Sequence, residues 1–228
     1  MADDPGDMEG YLALVAQRPE LFCNAPSGGV DILTAPEEIA GARAEAKAYR
    51  RARGMKDHDT RTGILAEDPY MLILRDAVRF PDGTRGLYNR IVETNPVAIL
   101  PVLKGEPVLI RVYRHGLRDW SWEFPRGGCD AGESPKEGAR REVAEEVGGA
   151  PLSIRSLGTF TPGGSSLSIR AHLFFAEVEQ LGEPDPLEGI TDVVAMPVAR
   201  LEQMLRDDVI IDGFSLALFA RARLRGLI

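Results

Sequence analysis

The chain reads as an α/β protein, a mixed sheet covered by helices and preceded by an N-terminal extension and a β-hairpin. Three observations predict this. Apolar runs of strand length, several alternating with period two, occur on both sides of one central segment. That segment, 134–147, has helical periodicity, and the strands around it follow one another as hairpins rather than in regular βαβ alternation. Pro81-Asp82-Gly83 divides two long strand-like runs, with proline presetting φ for a turn and glycine accepting φ above zero.

Residues 1–66 are expected to be a helical extension, with a short helix from Gly6 to Ala16, a possible strand from Gly29 to Leu33 and a helix from Pro36 to Arg53. In the second helix alanine alternates with lysine and arginine, leaving only a thin apolar side. Glu45 interleaves with the cations, so a solvated, peripheral helix is the reading rather than a membrane or nucleic-acid surface. Residues 67–228 are expected to form the main domain. Its hairpin strands are Tyr70 to Phe80 and Leu87 to Val92, followed by strands Val97 to Leu103, Pro107 to Arg114 and Ser121 to Phe124. In the strand ending at Arg114, Val108, Ile110 and Val112 form an inward face and Arg114 continues their parity. A guanidinium pointing with core residues at a strand end suits a phosphate or carboxylate; a bend after Tyr113 would instead turn it to solvent. Trp120, Trp122 and Phe124 share one face and are expected to pack in the core. After the central helix come strands at Leu152 to Phe160, Ile169 to Val178 and Val193 to Pro197, then closing helices at Leu201 to Leu205 and Phe214 to Leu224. His172 lies in an apolar strand and reads as a core histidine.

The central helix carries the chemistry. Ala139, Val143 and Val147 make an apolar stripe, Ser134-Pro135 supplies an N-cap with proline at N1, and Gly148-Gly149 closes the helix. Glu142, Glu145 and Glu146, at i, i+3 and i+4, bring three carboxylates to one patch. Alone they would repel one another, whereas Mg²⁺ takes hard oxygen ligands and turns the repulsion into binding. Arg141 is one turn from Glu145, and Glu133 in the preceding loop could hold the guanidinium from its other side. Taken by itself the charged run also fits a solvated helix face. The loop from Arg126 to Glu133 favours the site, because it is glycine-rich and ends at a helix N-terminus, where backbone N–H groups favour anions. Directly upstream, Arg111, Arg114, Arg118 and Arg126 cluster with His115 within an otherwise acidic protein.

Composition bounds the partners. With 228 residues, the chain is long enough for one domain plus an extension without disulfides, and two cysteines, Cys23 and Cys129, are too few for a disulfide framework and lack metal-ligand spacing. No apolar stretch reaches membrane-spanning length and the first residues are acidic, so a cytoplasmic protein with no membrane partner is expected. A net charge of −8 argues against a nucleic-acid partner, and a small phosphorylated ligand needs only a local positive patch.

Gly127, Glu133, Arg141, Glu142, Val143, Glu145, Glu146 and Gly148 match the Nudix box, Gly-x5-Glu-x7-Arg-Glu-U-x-Glu-Glu-x-Gly-U, and the chain resembles the Nudix hydrolase family. The final bulky aliphatic is replaced by Gly149, so its core side chain is missing or comes from Leu152. The resemblance implies an α/β/α sandwich and a hydrolase of nucleoside diphosphates linked to another group. By that pattern Glu142, Glu145 and Glu146 bind Mg²⁺, with Mn²⁺ an alternative, and the carbonyl of Arg126 joins them. Glu133 and Arg141 belong with Glu145 and Glu146 in the catalytic set. The residues before and after the box resemble the ADP-ribose pyrophosphatase branch, with Trp122, Glu123, Pro125 and Gly127 forming its lead-in and Pro162-Gly163 its downstream loop. This implies a homodimer and a small-molecule substrate, ADP-ribose or a related nucleotide sugar. Arg111, Arg114, Glu123, Arg126 and Gly127 are placed at its substrate. One departure concerns the reaction itself: the branch usually places a glutamate before the His-Leu-Phe strand, and no acidic residue lies between Pro162 and His172. Replacements are Glu183, Asp185, Glu188 and Asp192, or Glu145. Other readings are a hydrolase of dinucleoside polyphosphates or modified nucleoside triphosphates, and a non-catalytic nucleotide sensor.

Overall fold

The computed structural model of the protein describes residues 8–56 and 59–228. Two compact units emerge, one comprising the described residues up to Glu93 with Ser165–Ser168, the other Thr94–Gly164 with Ile169–Ile228. The hairpin therefore clusters with the extension, whereas the sequence reading draws its line between residues 66 and 67, at the end of a strand.

In the first unit α1 spans Met8–Gln17 and is followed by a 3-10 turn at Pro19–Phe22, β1 at Asp31–Leu33 and α2 at Pro36–Ala52. The first two residues of the predicted helix from Gly6 lie outside the described residues. The strands β2 (Gly63–Glu67), β3 (Met71–Arg79) and β4 (Arg85–Glu93) complete a four-stranded antiparallel sheet in which β1, β2 and β4 all pair with β3. The β3–β4 turn forms where Pro81-Asp82-Gly83 predicts it: Gly83 has φ 84°, and the Asp82 carboxylate accepts the Thr84 N–H at 2.9 Å. β2 escapes the sequence reading because it is five residues long and bulged against β3, which breaks its alternation.

The extension is anchored by a buried charge. Asp76 on β3 is 1% exposed, and it accepts hydrogen bonds from the Tyr11 hydroxyl at 2.6 Å and from Arg90 Nε on β4. Arg90 also donates to the Leu21 carbonyl at 2.7 Å and lies over the Phe22 ring. Tyr11, Phe22, Leu72, Leu74 and Val92 close an apolar cluster around this pair. Burial and the neighbouring Asp76 charge hold the Tyr11 hydroxyl far above the usual tyrosine range, so it donates at every working pH.

The second unit is built on a seven-stranded sheet: β5 (Val97–Leu103), β6 (Glu106–Arg114), β7 (Asp119–Glu123), β8 (Arg126–Gly127), β9 (Pro151–Phe160), β10 (Ala171–Val178) and β11 (Ile190–Ala195). Its order is β11-β6-β5-β10-β9, with β7 beside β6 and β8 beside β5. The β5–β10 pair is parallel and the others are antiparallel, giving the expected mixed sheet. Alternation along β5 feeds two cores. Val97 and Ile99 join Ala139, Val143 and Val147 of α3 (Pro135–Val147) on one face. Ala98, Leu100 and Val102 join Leu201 and Met204 of α4 (Val198–Arg206) and Leu218 and Ala222 of α5 (Gly213–Leu224) on the other. This is the helix-sheet-helix sandwich. Among the described residues no helix is long and apolar enough to cross a membrane.

Two details place the site. β5 and β6 share only Val102↔Pro107 and Leu103↔Glu106, and the space beside the start of β5 is taken by β8. The chain from β7 to α3 is thereby drawn alongside the centre of the sheet. At the far end of α3, Leu152 does not supply the missing aliphatic, since it is 64% exposed. Backbone fills the place instead: side chains at Gly148 and Gly149 would collide with the backbone of Gly182 and Gln180, and Leu181 packs on the α3 core.

Tyr11→Phe should reduce the stability of the first unit by about 2 kcal/mol, the scale of a hydrogen bond to a charged acceptor. Hydrogen exchange across α1 would show it as lost protection, and unchanged protection would mean that Asp76 does not hold the extension.

Candidate active site

α3 begins with a capping box, in which the Ser134 side chain accepts from the Glu137 N–H at 3.3 Å and the Glu137 carboxylate accepts from the Ser134 N–H at 2.9 Å. Fixing that first turn fixes the faces of the next two. Ala139, Val143 and Val147 face the sheet, and Glu142 and Glu146 lie at the edge of that buried stripe, 5% and 3% exposed. Glu145 is more open. A side chain at Gly127 would collide with the Glu142 carboxylate, so glycine there lets β8 and α3 approach.

Arg141 organises the carboxylates. Its Nη1 donates to Glu142 Oε1 and Glu145 Oε2, both at 2.8 Å. Its Nη2 donates to the Gly128 carbonyl at 2.6 Å and to Glu133 Oε2 at 3.1 Å. The predicted Glu133–Arg141–Glu145 chain is therefore present, with Glu142 added to it. Hydrogen bonding from Arg141 holds Glu133 below its ordinary range. Among the described residues Glu146 has no such partner; its Oε2 accepts a backbone N–H, that of Arg126, at 2.9 Å. Burial first, and then the Glu142 charge, push the Glu146 carboxyl up to about 8. Burial also raises Glu142, against the pull of Arg141.

The acidic loop after β10 is tied to the end of α3. Gly182 N–H donates to the Val147 carbonyl at 3.0 Å and Asp185 N–H to the Glu145 carbonyl at 2.7 Å, satisfying helix-end acceptors. Asp185 then caps a 3-10 turn at Pro186–Glu188. This tether brings Glu188 close enough for its charge to raise both Glu142 and Glu146. Among the four loop candidates Glu188, itself exposed, is thus the one whose charge acts on both carboxylates. Asp192 is on β11, 3.7 Å from Arg111.

Upstream, Arg114 keeps the parity of Val108, Ile110 and Val112 and does not bend away to solvent. It and Arg126 line one cavity of about 470 Å³, together with His115, Ser121, Asp212 and Gly213. Glu123, 0% exposed, receives Arg114 Nε on Oε1 at 2.7 Å and Arg126 Nε on Oε2 at 3.1 Å. Arg126 is the hinge of the arrangement, its backbone holding Glu146 and its side chain facing the cavity, stacked 4.7 Å over Phe214. Arg111, grouped with these residues in the sequence reading, is not brought to the cavity. With parity opposite to Arg114, it stacks over Trp120 on the other face, 5.1 Å from the ring centroid. Trp120 is itself 42% exposed rather than core, edge-on to Tyr113. Asp212 and Ser215 were not foreseen: Asp212 caps α5 by accepting the Ser215 N–H, and Ser215 Oγ accepts the Phe124 N–H, locking the cavity floor to β7.

The donors fit a divalent cation in kind. All are hard oxygens, two of them are buried with raised proton affinity, and a cationic nitrogen already sits between Glu142 and Glu145. Among the described residues no three His, Cys, Asp or Glu side chains are set as a ready-made metal group, because Arg141 draws Glu142 and Glu145 while the Arg126 N–H holds Glu146.

Comparison with known proteins agrees with this geometry. The family model for the NUDIX domain matches residues 94–214. The ADP compounds hydrolase NudE of Escherichia coli (strain K12) is 32% identical over 137 residues, 57% of this chain and 72% of that protein. An RNA pyrophosphohydrolase of a Nitratiruptor species is 56% identical over 34 residues, 15% of this chain and 22% of that protein. The crystal structure of an ADP compounds hydrolase aligns with a TM-score of 0.62 at 25% identity, covering 72% of this chain and 93% of that one. With the box, the sandwich and a family match across more than half of its length, the chain belongs to the NUDIX domain family.

Proposed function

We propose that the protein is a pyrophosphohydrolase of ADP-linked compounds, cleaving ADP-ribose or a related nucleotide sugar to a nucleoside monophosphate and a phosphorylated remainder. The observation that carries this reading is Arg126, which joins the carboxylate patch to the arginine-walled cavity in one residue. The NudE likeness over most of that protein's length supports ADP-linked substrates. The resemblance also supports a cytoplasmic homodimer, and the charge of −8 supports a small ligand rather than a nucleic-acid tract.

Glu142, Glu145 and Glu146, with the Arg126 carbonyl, would hold magnesium, or manganese, which when bound neutralises diphosphate oxygens and acidifies water. Arg114 and Arg126 bind and orient the diphosphate. Glu188 accepts one proton from the attacking water as its oxygen bonds to phosphorus and the bridging P–O bond breaks, the bridging oxygen leaving on the second phosphate. Arg141 and Glu133 hold Glu145 in place.

Turnover of ADP-ribose, with dinucleoside polyphosphates and nucleoside triphosphates in parallel and chelator controls, tests the assignment. Glu142→Gln, Glu146→Gln and Glu188→Gln should each lower kcat by about a hundredfold or more while leaving the fold intact. Wild-type turnover in Glu142→Gln and Glu146→Gln would defeat the metal reading, and in Glu188→Gln the proton-acceptor reading alone.

Acid–base linkage gives a second test. The folded pKa of Glu146 lies above its unfolded value, so its contribution to stability is fully present below the unfolded value of 4.5 and is lost as pH rises to about 8. A cation bound to the charged form reverses this. Magnesium should therefore raise Tm more at about pH 8.5 than at about pH 5.5, and Glu146→Gln should remove most of the difference. An equal increment at both pH values, measured by thermal unfolding, would contradict it.

A further inference from the structure

The way Glu123 is bonded assigns it a different task from the substrate contact expected of it. An arginine facing a carboxylate usually forms a fork, two N–H groups of one guanidinium on two oxygens of one carboxylate. Here the fork is split. Each Glu123 oxygen takes the Nε of a different arginine, 2.7 Å from Arg114 and 3.1 Å from Arg126. Nε is the inner nitrogen of the guanidinium, so the outer Nη groups are left for other partners. Arg114 Nη2 is buried and has no hydrogen-bond partner among the described residues. Arg126 Nη2 stands 3.9 Å from Asp212. Both side chains line the same cavity, and the Glu123 side chain, 1% exposed, lies at the wall of that cavity with an oxygen on each of them.

Strand geometry makes this arrangement rigid. Glu123 lies opposite Ile110 in the β6–β7 ladder, and Arg114 lies four residues along β6, so the carboxylate and the first guanidinium are fixed by backbone register. Arg126 follows three residues after Glu123 and is held by its own N–H on Glu146 and by the Phe214 ring. Two like charges are thus kept adjacent by one buried anion, an arrangement that a bound dianion would complete.

We propose that Glu123 is a positioning residue: one oxygen on each Nε, it locks Arg114 and Arg126 side by side so that their outer Nη groups, that of Arg114 unpartnered and that of Arg126 beside Asp212, receive adjacent anionic oxygens of the substrate diphosphate together. The proposal rests on the pyrophosphohydrolase reading for its substrate, yet the clamp can be read from anion affinity alone.

The test pairs steady-state kinetics on ADP-ribose with calorimetric binding of inorganic pyrophosphate, both with magnesium. Glu123→Gln keeps the shape but offers one acceptor, and it should raise KM and the pyrophosphate Kd about tenfold with a smaller effect on kcat. In a cycle with Arg114→Gln the two changes should be strongly non-additive, the double variant binding within about threefold of the weaker single one. Multiplicative losses, or wild-type affinity in Glu123→Gln, would overturn the proposal. Arg114→Lys and Arg126→Lys carry the test should Glu123→Gln fail to fold. A lysine keeps the charge but has one nitrogen, which Glu123 would occupy, so affinity should fall about tenfold for each; affinity within about twofold of wild type in both would overturn the clamp. If wild type fails to cleave ADP-ribose, the functional reading falls, and the pyrophosphate affinities still decide the clamp.

Discussion

Three carboxylates, Glu123, Glu142 and Glu146, are buried at 0%, 5% and 3% exposure at one end of a sheet-and-helix core, and the rest of the site follows from how their charges are balanced. An isolated buried carboxylate is costly, and it survives by pairing, by accepting hydrogen bonds or by taking up a proton. Glu123 is paired twice, Glu142 is bonded to Arg141, and Glu146, with one backbone N–H, has its proton affinity raised most visibly. The negative charge is therefore least compensated at the α3 edge and best compensated under the cavity. That gradient is what the proposed cation site beside a proposed anion site rests on, the two lying a few residues apart on one backbone.

The fold provides the gradient through two local devices. Early divergence of β5 from β6 admits β8, whose Gly127 lets the Glu142 carboxylate come close. Glycines 148 and 149 let the loop after β10 lie on the α3 terminus, where its N–H groups cap helix carbonyls. Exchanging an aliphatic side chain for backbone at this end of α3 is thus the feature that ties the acidic loop to the carboxylate helix.

Much of this was legible in the sequence, where the signal was local and periodic. The capped helix, its carboxylate face and the Arg141–Glu133 contact follow from spacing on one helix and one short loop, and the inward direction of Arg114 follows from strand parity. What was hidden depends on contacts between distant segments. Pro184 and Pro186 make the acidic loop look like a solvated turn, and only its backbone bonds to α3 show that it is tied to the end of the carboxylate helix. Arg111 looked equivalent to Arg114 by proximity, although its opposite parity sends it to Trp120. Glu123 could be placed near the substrate but not seen to bond both arginines. In the extension, nothing local marks Tyr11, Asp76 and Arg90 as one network, since they are brought together only by the sheet.

The claim on which the account turns is that the buried edge of α3 is a cation site beside the arginine cavity. Crystals grown with manganese and inorganic pyrophosphate, with data collected at the manganese absorption edge, test it most directly. An anomalous peak should lie between the carboxylates of Glu142 and Glu146, with pyrophosphate oxygens reaching from it to Arg114 and Arg126. Manganese bound elsewhere, with Arg141 still holding Glu142 and Glu145 and the pyrophosphate away from both arginines, would contradict it.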